Sequence, residues 1–180
     1  RAGATIYERS RVVAIDEGER PLVRTGYGAV RCRHVVIATN AYTPLLGRLR
    51  SAGIRVQVQL FKTEPLTPAQ LRAVGWRGRE GVYTAHEILE SYRLTTDDAI
   101  VGGSKFIRTG YGKNVLPDVD DVAARRIVAT FRERFPELGD VRIAREWGGP
   151  IYLSLDFLPV VGRSKKRGSI LHSLAYAGHG

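Results

Sequence analysis

The sequence predicts a mixed α/β (α+β) fold built from two parts, and three observations lead to this prediction. Residues 35–38 are all apolar, which is typical of a strand in a sheet that is covered on both faces. Residues 54–63 alternate apolar and polar side chains, which predicts a half-buried strand that begins a separate, antiparallel sheet. Apolar residues at helical spacing between positions 118 and 135 predict one long amphipathic helix.

Composition indicates a globular protein. At 180 residues and 43% hydrophobic content, the chain can bury a core. Its net charge of +10 comes mostly from scattered arginines with carboxylates between them, and the one dense basic run, residues 163–167, predicts a solvated turn. We therefore do not expect nucleic acid as a partner, and keep a basic nucleic-acid-binding module as the alternative from another class. No apolar run of about 18 residues occurs, so we expect no membrane partner and a cytoplasmic localisation.

Cysteine and histidine positions predict no metal site. The single cysteine, Cys32, excludes an internal disulfide framework and a cysteine-rich zinc site. His34, His86 and His172 do not have the spacing of metal ligands.

The N-terminal third is rich in strand patterns. Residues 4–15 predict a strand, and residues 22–25 and 29–36 predict a hairpin around a Gly-Tyr-Gly turn, the second strand running on into the apolar stretch described above. Residues 39–44 follow as a loop that opens a short helix, the position where doubly wound folds place ligands. Asn40 in this loop has two interpretations of equal weight, a ligand contact or a simple helix cap.

The middle of the chain predicts an antiparallel sheet and a short helix. Thr67 and Gln70 form a capping box with proline at the first helical position, so we expect a helix over residues 68–74. Residues 92–95 and 99–103 predict a β-hairpin.

The last third begins with the amphipathic helix, which Asp118 is expected to cap and which should end near Phe135, before a proline. Strands are then predicted over residues 141–147 and 169–175, and the apolar run 157–161 between them is expected to be a buried strand or the approach to one.

Two glycine motifs carry the prediction of a site. Gly148 and Gly149 follow Trp147, and without side chains they let the backbone approach a flat ligand closely. Residues 178–180, Gly-His-Gly, offer N–H groups to a carbonyl or an anion. Surface turns use the same residues, so each motif taken alone also fits a simple turn.

The order of five motifs points to a family. They are V-V-I-A-T-N-A-Y-T at 35–43, K-T-E-P-L at 62–66, W-G-G-P-I at 147–151, L-P-V-V-G at 158–162 and A-Y-A-G-H-G at 175–180. In this order they resemble the D-amino acid oxidase/glycine oxidase family of FAD-dependent oxidoreductases, especially its γ-glutamylputrescine oxidase-like members.

The resemblance implies two domains. Residues 1–50 and 146–180 would belong to a partial FAD/NAD(P)-binding Rossmann-like domain, and residues 51–145 to an antiparallel-sheet substrate domain. The family's phosphate-binding G-x-G-x-x-G motif does not occur in this sequence. We therefore expect an internal fragment that is inactive alone.

The activity implied by the resemblance is oxidation of the C–N bond of a small-molecule amine or amino acid to an imine, by hydride transfer to flavin N5. Oxygen or another electron acceptor would reoxidise the flavin, so a dehydrogenase is the alternative to an oxidase. FAD should be non-covalent, unless an N-terminal part outside this sequence tethers it, because Gly148 and Gly149 stand where sarcosine-oxidising members carry the attaching cysteine. The implied cofactor contacts are Val12, Ala38, Thr39, Asn40, Tyr42, Trp147, Gly148, Ala175, Gly178, His179 and Gly180.

Two residues are candidates for catalysis, and each has a plainer interpretation. Arg93 could pair with a substrate carboxylate through its guanidinium, or be a solvated strand arginine. His179 could act through its imidazole, or simply start a helix. Four tyrosines could line a pocket: Tyr83, Tyr92, Tyr111 and Tyr152. The sequence does not specify the substrate or the oligomeric state.

Overall fold

The chain divides into two compact units. Residues 1–54 and 152–180 form the first unit, and residues 55–151 form the second. Both boundaries lie within strands, a few residues beyond the boundaries expected from the sequence. The assignment of cofactor to one part and substrate to the other stays a prediction. The computed structural model describes residues 3–86, 88–104, 106–110, 119–165 and 168–176.

Strands dominate the described residues. In chain order they are β1 (Val12–Asp16), β2 (Leu22–Thr25), β3 (Gly28–Arg31), β4 (Val35–Ile37), β5 (Gly53–Thr63), β6 (Val82–Tyr83), β7 (Glu90–Leu94), β8 (Ile100–Ser104), β9 (Arg108–Gly110), β10 (Ile143–Ser154), β11 (Val160–Arg163) and β12 (Ile170–Leu174). The helices are α1 (Pro68–Val74), α2 (Asp121–Arg134) and the 3₁₀ helices Asn40–Leu46 and Pro136–Leu138. None of the helices in the described part of the chain is long and apolar enough to cross a membrane.

The first unit contains two three-stranded sheets. One is antiparallel, in the order β1-β2-β3. In the other, β12 lies between β11 and β4, antiparallel to β11 and parallel to β4. The second unit is built on an antiparallel sheet, so the α/β (α+β) prediction is confirmed.

Two strand predictions in the first unit are too long. Only residues from Val12 onward form a strand in the segment 4–15. The run predicted as one strand divides into β3 and β4, which belong to different sheets, and Cys32 between them donates its N–H to the carbonyl of Pro21 at 3.0 Å. In β4 the Val36 side chain is 62% exposed, so this sheet is not covered on both faces by the residues described.

Of the two alternatives for residues 157–161, the structure shows the approach to a strand and not a buried strand. Phe157 and Leu158 lie in an exposed turn before β11, and Phe157 has φ +58°. Asp156 shapes this turn, because its Oδ1 accepts a hydrogen bond from the Leu158 N–H at 3.0 Å. The apolar composition of the segment does not by itself determine whether the segment is buried.

In the second unit the sheet has the order β10-β5-β8-β7-β6, and β9 pairs with β5. The predicted hairpin is confirmed as the antiparallel pair β7 and β8. Tyr92, Gly102 and Phe61 are neighbours across β7, β8 and β5. A Cβ at Gly102 would lie 2.5 Å from Tyr92 Cδ1, so only glycine allows this spacing. These residues form the closed face of the sheet, on which α2 packs.

Helix α2 buries the stripe that its periodicity predicts. Ala124, Ile127 and Phe131 are buried, and the Phe131 ring lies 4.9 Å from that of Phe61. Its N-cap is Asp120, whose Oδ1 accepts from the N–H groups of Val122 and Ala123, each at 3.1 Å. The prediction of Asp118 as the cap is therefore wrong, and Asp118 itself lies outside the described residues.

Helix α1 begins and ends as the sequence predicts. Thr67 accepts a hydrogen bond from the Gln70 N–H at 3.2 Å, while Gln70 Oε1 accepts from the Thr67 N–H at 2.9 Å. Gly75 ends the helix at φ +65°, a conformation that glycine adopts without steric cost.

The β5 strand is confirmed, but its polar side is buried. Arg55, Gln57 and Gln59 are no more than 6% exposed. They share the side of Phe61, and Gln59 Oε1 accepts a hydrogen bond from the Asp120 N–H at 3.1 Å. Alternation identifies the two sides of a strand, while the start of α2 determines which side is covered.

A buried carboxylate joins β7 to α2. Glu90 accepts hydrogen bonds from the Tyr92 hydroxyl at 2.9 Å and from Arg134 Nε at 2.8 Å. Burial, reinforced by the Glu90 carboxylate, raises the pKa of Tyr92 well above its ordinary value. The tyrosine therefore stays protonated and donating throughout the physiological pH range.

Replacing Phe131 with alanine is expected to lower the free energy of unfolding by about 3–5 kcal/mol, because the lost ring leaves a cavity against Phe61. Urea denaturation followed by circular dichroism measures the change. Glu133→Ala, at an exposed position of the same helix, is the control and should cost less than about 0.5 kcal/mol. Equal stability of the two variants would contradict the packing described.

A second prediction concerns Asp97, whose carboxylate accepts from Lys62 Nζ at 2.7 Å and from Thr95 Oγ1 at 2.6 Å. These donors, Lys62 foremost, lower its pKa from 3.8 to about 2. The resulting stabilisation is complete above the unfolded-state pKa of 3.8 and is lost as the pH falls towards 2. In Lys62→Gln the pKa should rise towards the ordinary value, as measured by carboxyl-carbon NMR titration. An unchanged pKa would show that Lys62 does not hold this carboxylate.

Candidate functional site

The carboxyl ends of β4 and β12 lie side by side in the first unit. The strands are parallel, with Ile37 opposite His172, and each then leaves the sheet at the same edge. Residues 38–40 follow β4, and residues 175–176 follow β12. In open α/β sheets ligands bind in the crevice at this edge, so the topology places two loops where a ligand is expected.

A side-chain hydrogen bond joins the two loops. Asn40 Oδ1 accepts from the Ala175 N–H at 3.3 Å. Asn40 has φ +41° and Ala175 has φ +61°, and a left-handed residue other than glycine costs about 1–2 kcal/mol. The helix-cap interpretation of Asn40 is wrong, because the 3₁₀ helix starts at Asn40 and has no side-chain capping bond. This residue instead ties the end of β4 to the end of β12.

The loop after β4 presents polar groups above a buried base. Ala41 and Thr43 are completely buried. Thr39 and Tyr42 are exposed, and the Thr39 hydroxyl lies 2.9 Å from that of Thr43. Hydroxyl and backbone N–H groups at this edge are therefore accessible to a polar ligand.

The other predicted cofactor residues are distributed differently. Val12 is half-buried in β1, in the antiparallel sheet of the first unit. Trp147 and Gly148 lie inside β10, in the second unit, so the Trp-Gly-Gly motif is extended strand and does not form a turn. Gly178, His179 and Gly180 lie outside the described residues.

The candidate substrate residue Arg93 lies on the open face of the second unit's sheet. Its register neighbours are Val101 and, across β8, Lys62. This row alternates with the row of Tyr92 and Phe61, so it points away from the face that α2 covers. Arg93 is exposed and forms no salt bridge with any residue described.

Two hydroxyl groups lie beside Arg93 on the open face. Ser91 is two residues before Arg93 on β7, and Tyr83 pairs with Ser91 from β6. Tyr83 is exposed, whereas Tyr92 and Tyr152 are buried core residues and do not line a pocket. Tyr111 is outside the described part of the chain. The pairing of β6 with β7 thus places Tyr83 diagonally across from Arg93, a proximity that sequence spacing did not indicate.

Among the histidines that the structure describes, His172 has a pKa that its surroundings shift. His172 is half-buried on β12, and burial, with Arg48 nearby, lowers its pKa below the ordinary value. Arg48 pairs with Glu17 at 2.6 Å. Among the residues described, no three His, Cys, Asp or Glu side chains cluster in a way that could hold a metal ion.

Comparison with known proteins identifies the family of this chain. The model of the FAD dependent oxidoreductase family, DAO, matches residues 1–180. The chain belongs to this family. The family identified from the five motifs is thereby confirmed, and with it FAD as the family's cofactor.

Individual relatives agree with this assignment. The chain is 31% identical over 180 residues to the gamma-glutamylputrescine oxidoreductase of Escherichia coli K12, covering 99% of this chain and 40% of that protein. Its structure is similar to L-proline dehydrogenase from P. horikoshii, with TM-score 0.77, 23% identity and coverage of 99% and 47% of the two chains. Glycine oxidase from Geobacillus kaustophilus has TM-score 0.75, 17% identity and coverage of 97% and 45%. This DAO-family chain thus spans about two fifths of the length of that curated relative.

The β4–β12 edge is chemically suited to part of FAD. Exposed Thr39 and Tyr42 supply hydroxyl groups, and the backbone of residues 38–40 is not covered by large side chains. Such donors suit the sugar and phosphate groups of a dinucleotide. The Asn40–Ala175 hydrogen bond fixes both loops in the conformation that leaves this edge open.

Removing the Asn40 amide should loosen this edge selectively. In Asn40→Ala, hydrogen exchange of the Ala175 N–H should accelerate by about tenfold or more, since its acceptor is lost and alanine disfavours positive φ. Asn40→Asp keeps the acceptor and serves as the control, with protection close to that of the unaltered chain. NMR-detected exchange measures both. Unchanged protection in Asn40→Ala would contradict the hydrogen bond.

Proposed function

We propose that the protein containing this chain oxidises the C–N bond of a carboxylate-bearing amine or amino acid to an imine, using non-covalently bound FAD. The observation that carries the proposal is the β4–β12 edge, held by Asn40 and Ala175, in a chain of the DAO family. The chain's similarity to a gamma-glutamylputrescine oxidoreductase supports an amine as the substrate.

The chain's own residues would hold the cofactor at this edge. Thr39 and Tyr42 would donate hydroxyl groups to it, and the backbone of residues 38–40 would approach it closely. We also assign Val12, Trp147, Gly148 and Ala175 to its contacts, along with residues 178–180. FAD, when bound, supplies the acceptor for the hydride that leaves the carbon beside the nitrogen.

Non-covalent attachment rests on the position of the one thiol. Gly148 and Gly149 carry no side chain that could bond to flavin. Cys32 follows β3, and its thiol lies 3.6 Å from the Pro21 carbonyl oxygen. Acid should therefore release the flavin from the protein.

Substrate recognition is assigned to the open face of the sheet. Arg93 would bind the substrate carboxylate through its guanidinium, since it is exposed and has no carboxylate partner of its own among the residues described. Tyr83 and Ser91 would supply hydrogen bonds beside it. The covered, opposite face of the sheet gives these side chains a rigid base.

We also propose that the chain by itself does not turn over substrate. It has no G-x-G-x-x-G motif for the pyrophosphate. Val36 and Val161, on β4 and β11, are 62% and 69% exposed, as expected for strands that further polypeptide would cover. A complete FAD site would then need that additional polypeptide.

Absorbance spectroscopy tests the cofactor assignment. The full-length protein should show visible flavin bands in stoichiometric, acid-releasable amount, and the amine substrate should bleach them under anaerobic conditions. The 180-residue chain should remain colourless after incubation with FAD. Turnover by the chain alone, with oxygen or with an artificial acceptor, would refute its proposed inactivity, and a full-length protein without flavin would refute the cofactor assignment.

Steady-state kinetics of an Arg93→Gln full-length variant test the substrate class. KM for a carboxylate-bearing amine should rise by about 10- to 100-fold, the effect of losing a charged hydrogen bond. KM for the matching amine without a carboxylate should stay the same. Arg72→Gln, at an exposed arginine of α1, is the control for the loss of one positive charge. Equal effects on both amines would contradict direct carboxylate binding.

A further inference from the structure

We propose that the second unit carries a docking groove for an acidic, extended segment of a partner protein. The groove is a cleft of about 350 Å³ between α2 and the first residues of β10, and we name it the arginine groove. Arg125 and Arg132 line it from the helix, and Arg145 lines it from the strand. Val128 and Ile143 supply its apolar floor. The groove does not involve the residues assigned to FAD or to substrate.

The arginines of this groove differ from their neighbours in forming no salt bridge within the part of the chain that the structure describes. Arg134 binds Glu90 at 2.8 Å, and Arg108 binds Asp120 at 3.2 Å. Arg126, between these pairs on α2, lies 5.7 Å from the centre of the Phe106 ring.

By contrast, Arg125, Arg132 and Arg145 form no salt bridge with any residue described, and all three are exposed. Three guanidinium groups face the single carboxylate of Glu146 around this cleft, so the excess positive charge attracts further carboxylates, which arginine binds with two parallel hydrogen bonds.

The geometry of the groove suits an extended peptide. Arg125 and Arg132 are seven residues apart on one helix face, a rise of about 10 Å. An extended strand covers that distance in about three to four residues. Of the strands described, β10 is the last in its sheet and pairs with β5 alone, and the peptide would add as a strand at its outer edge.

The positive charge and the apolar floor of the arginine groove together determine which peptide segment fits it. A segment that alternates acidic and apolar residues would place carboxylates on the guanidinium groups and apolar side chains over Val128 and Ile143. Glu146, at the same groove, disfavours a continuous polyanion such as nucleic acid. A second copy of the chain is disfavoured by its net charge of +10.

Fluorescence anisotropy with a labelled peptide of alternating glutamate and valine tests the proposal on the chain itself. The groove variant Arg125→Gln/Arg132→Gln should weaken the Kd by about tenfold or more. The control Arg72→Gln/Arg77→Gln removes the same charge from exposed arginines elsewhere in the second unit and should change the Kd by less than about twofold. Circular dichroism should show the same secondary structure in all chains.

A charge exchange provides a second measurement that does not depend on loss of binding. The Arg145→Glu chain should bind a peptide of alternating lysine and valine more tightly than the unaltered chain does. Failure of this exchange, equal weakening by the control variant, or equal binding of a glutamine-for-glutamate peptide would each overturn the proposal. Tighter binding of a single-stranded oligonucleotide, weakened by the same groove variant, would overturn it in favour of a polyphosphate partner.

Discussion

The parallel pairing of β4 with β12 is the constraint on which the cofactor edge depends. Parallel neighbours cannot be joined by a tight turn, so a long crossover connection must separate β4 from β12 in the sequence. The second unit lies in this connection between β4 and β12. Asn40 and Ala175, 135 residues apart in sequence, meet only because both strands end at the same edge. The tolerance of asparagine for positive φ helps at Asn40, but the strand pairing is what brings the two residues together.

In the second unit, α2 gives the sheet two unlike faces. The helix packs Phe131 on Phe61 and ties its last turn to β7 through Arg134 and the buried Glu90. The covered face therefore combines packed aromatic rings with buried polar side chains, among them Gln59 and Glu90. On the opposite face Arg93 is exposed and forms no salt bridge with any residue described, so it can take part in recognition. A sheet that is closed on one side and open on the other supplies both a fixed base and a polar surface.

The net positive charge of the protein says less about binding than the surroundings of each arginine do. Many arginines already bind a carboxylate or an aromatic ring, as Arg48, Arg126 and Arg134 do. Such residues stabilise the fold locally and contribute little to attraction at a distance. The remaining exposed arginines are grouped unevenly, and the arginine groove brings three of them around one apolar floor. A net charge of +10 therefore does not by itself indicate a polyanion partner.

The sequence by itself determined the features that depend on neighbours in the chain. The capping box of Thr67 and Gln70, the β7–β8 hairpin, the buried stripe of α2 and the order of the family motifs all follow from short-range patterns. Tertiary structure decided which surfaces are covered and which distant residues meet. Gln57 and Gln59 are buried because the start of α2 lies on their side of β5, whereas Phe157 is exposed although its segment is apolar. Periodicity separates the two sides of a strand, but only packing against another element decides which side is buried. The Asn40–Ala175 contact could not be predicted from sequence, because it depends on which distant strands lie side by side.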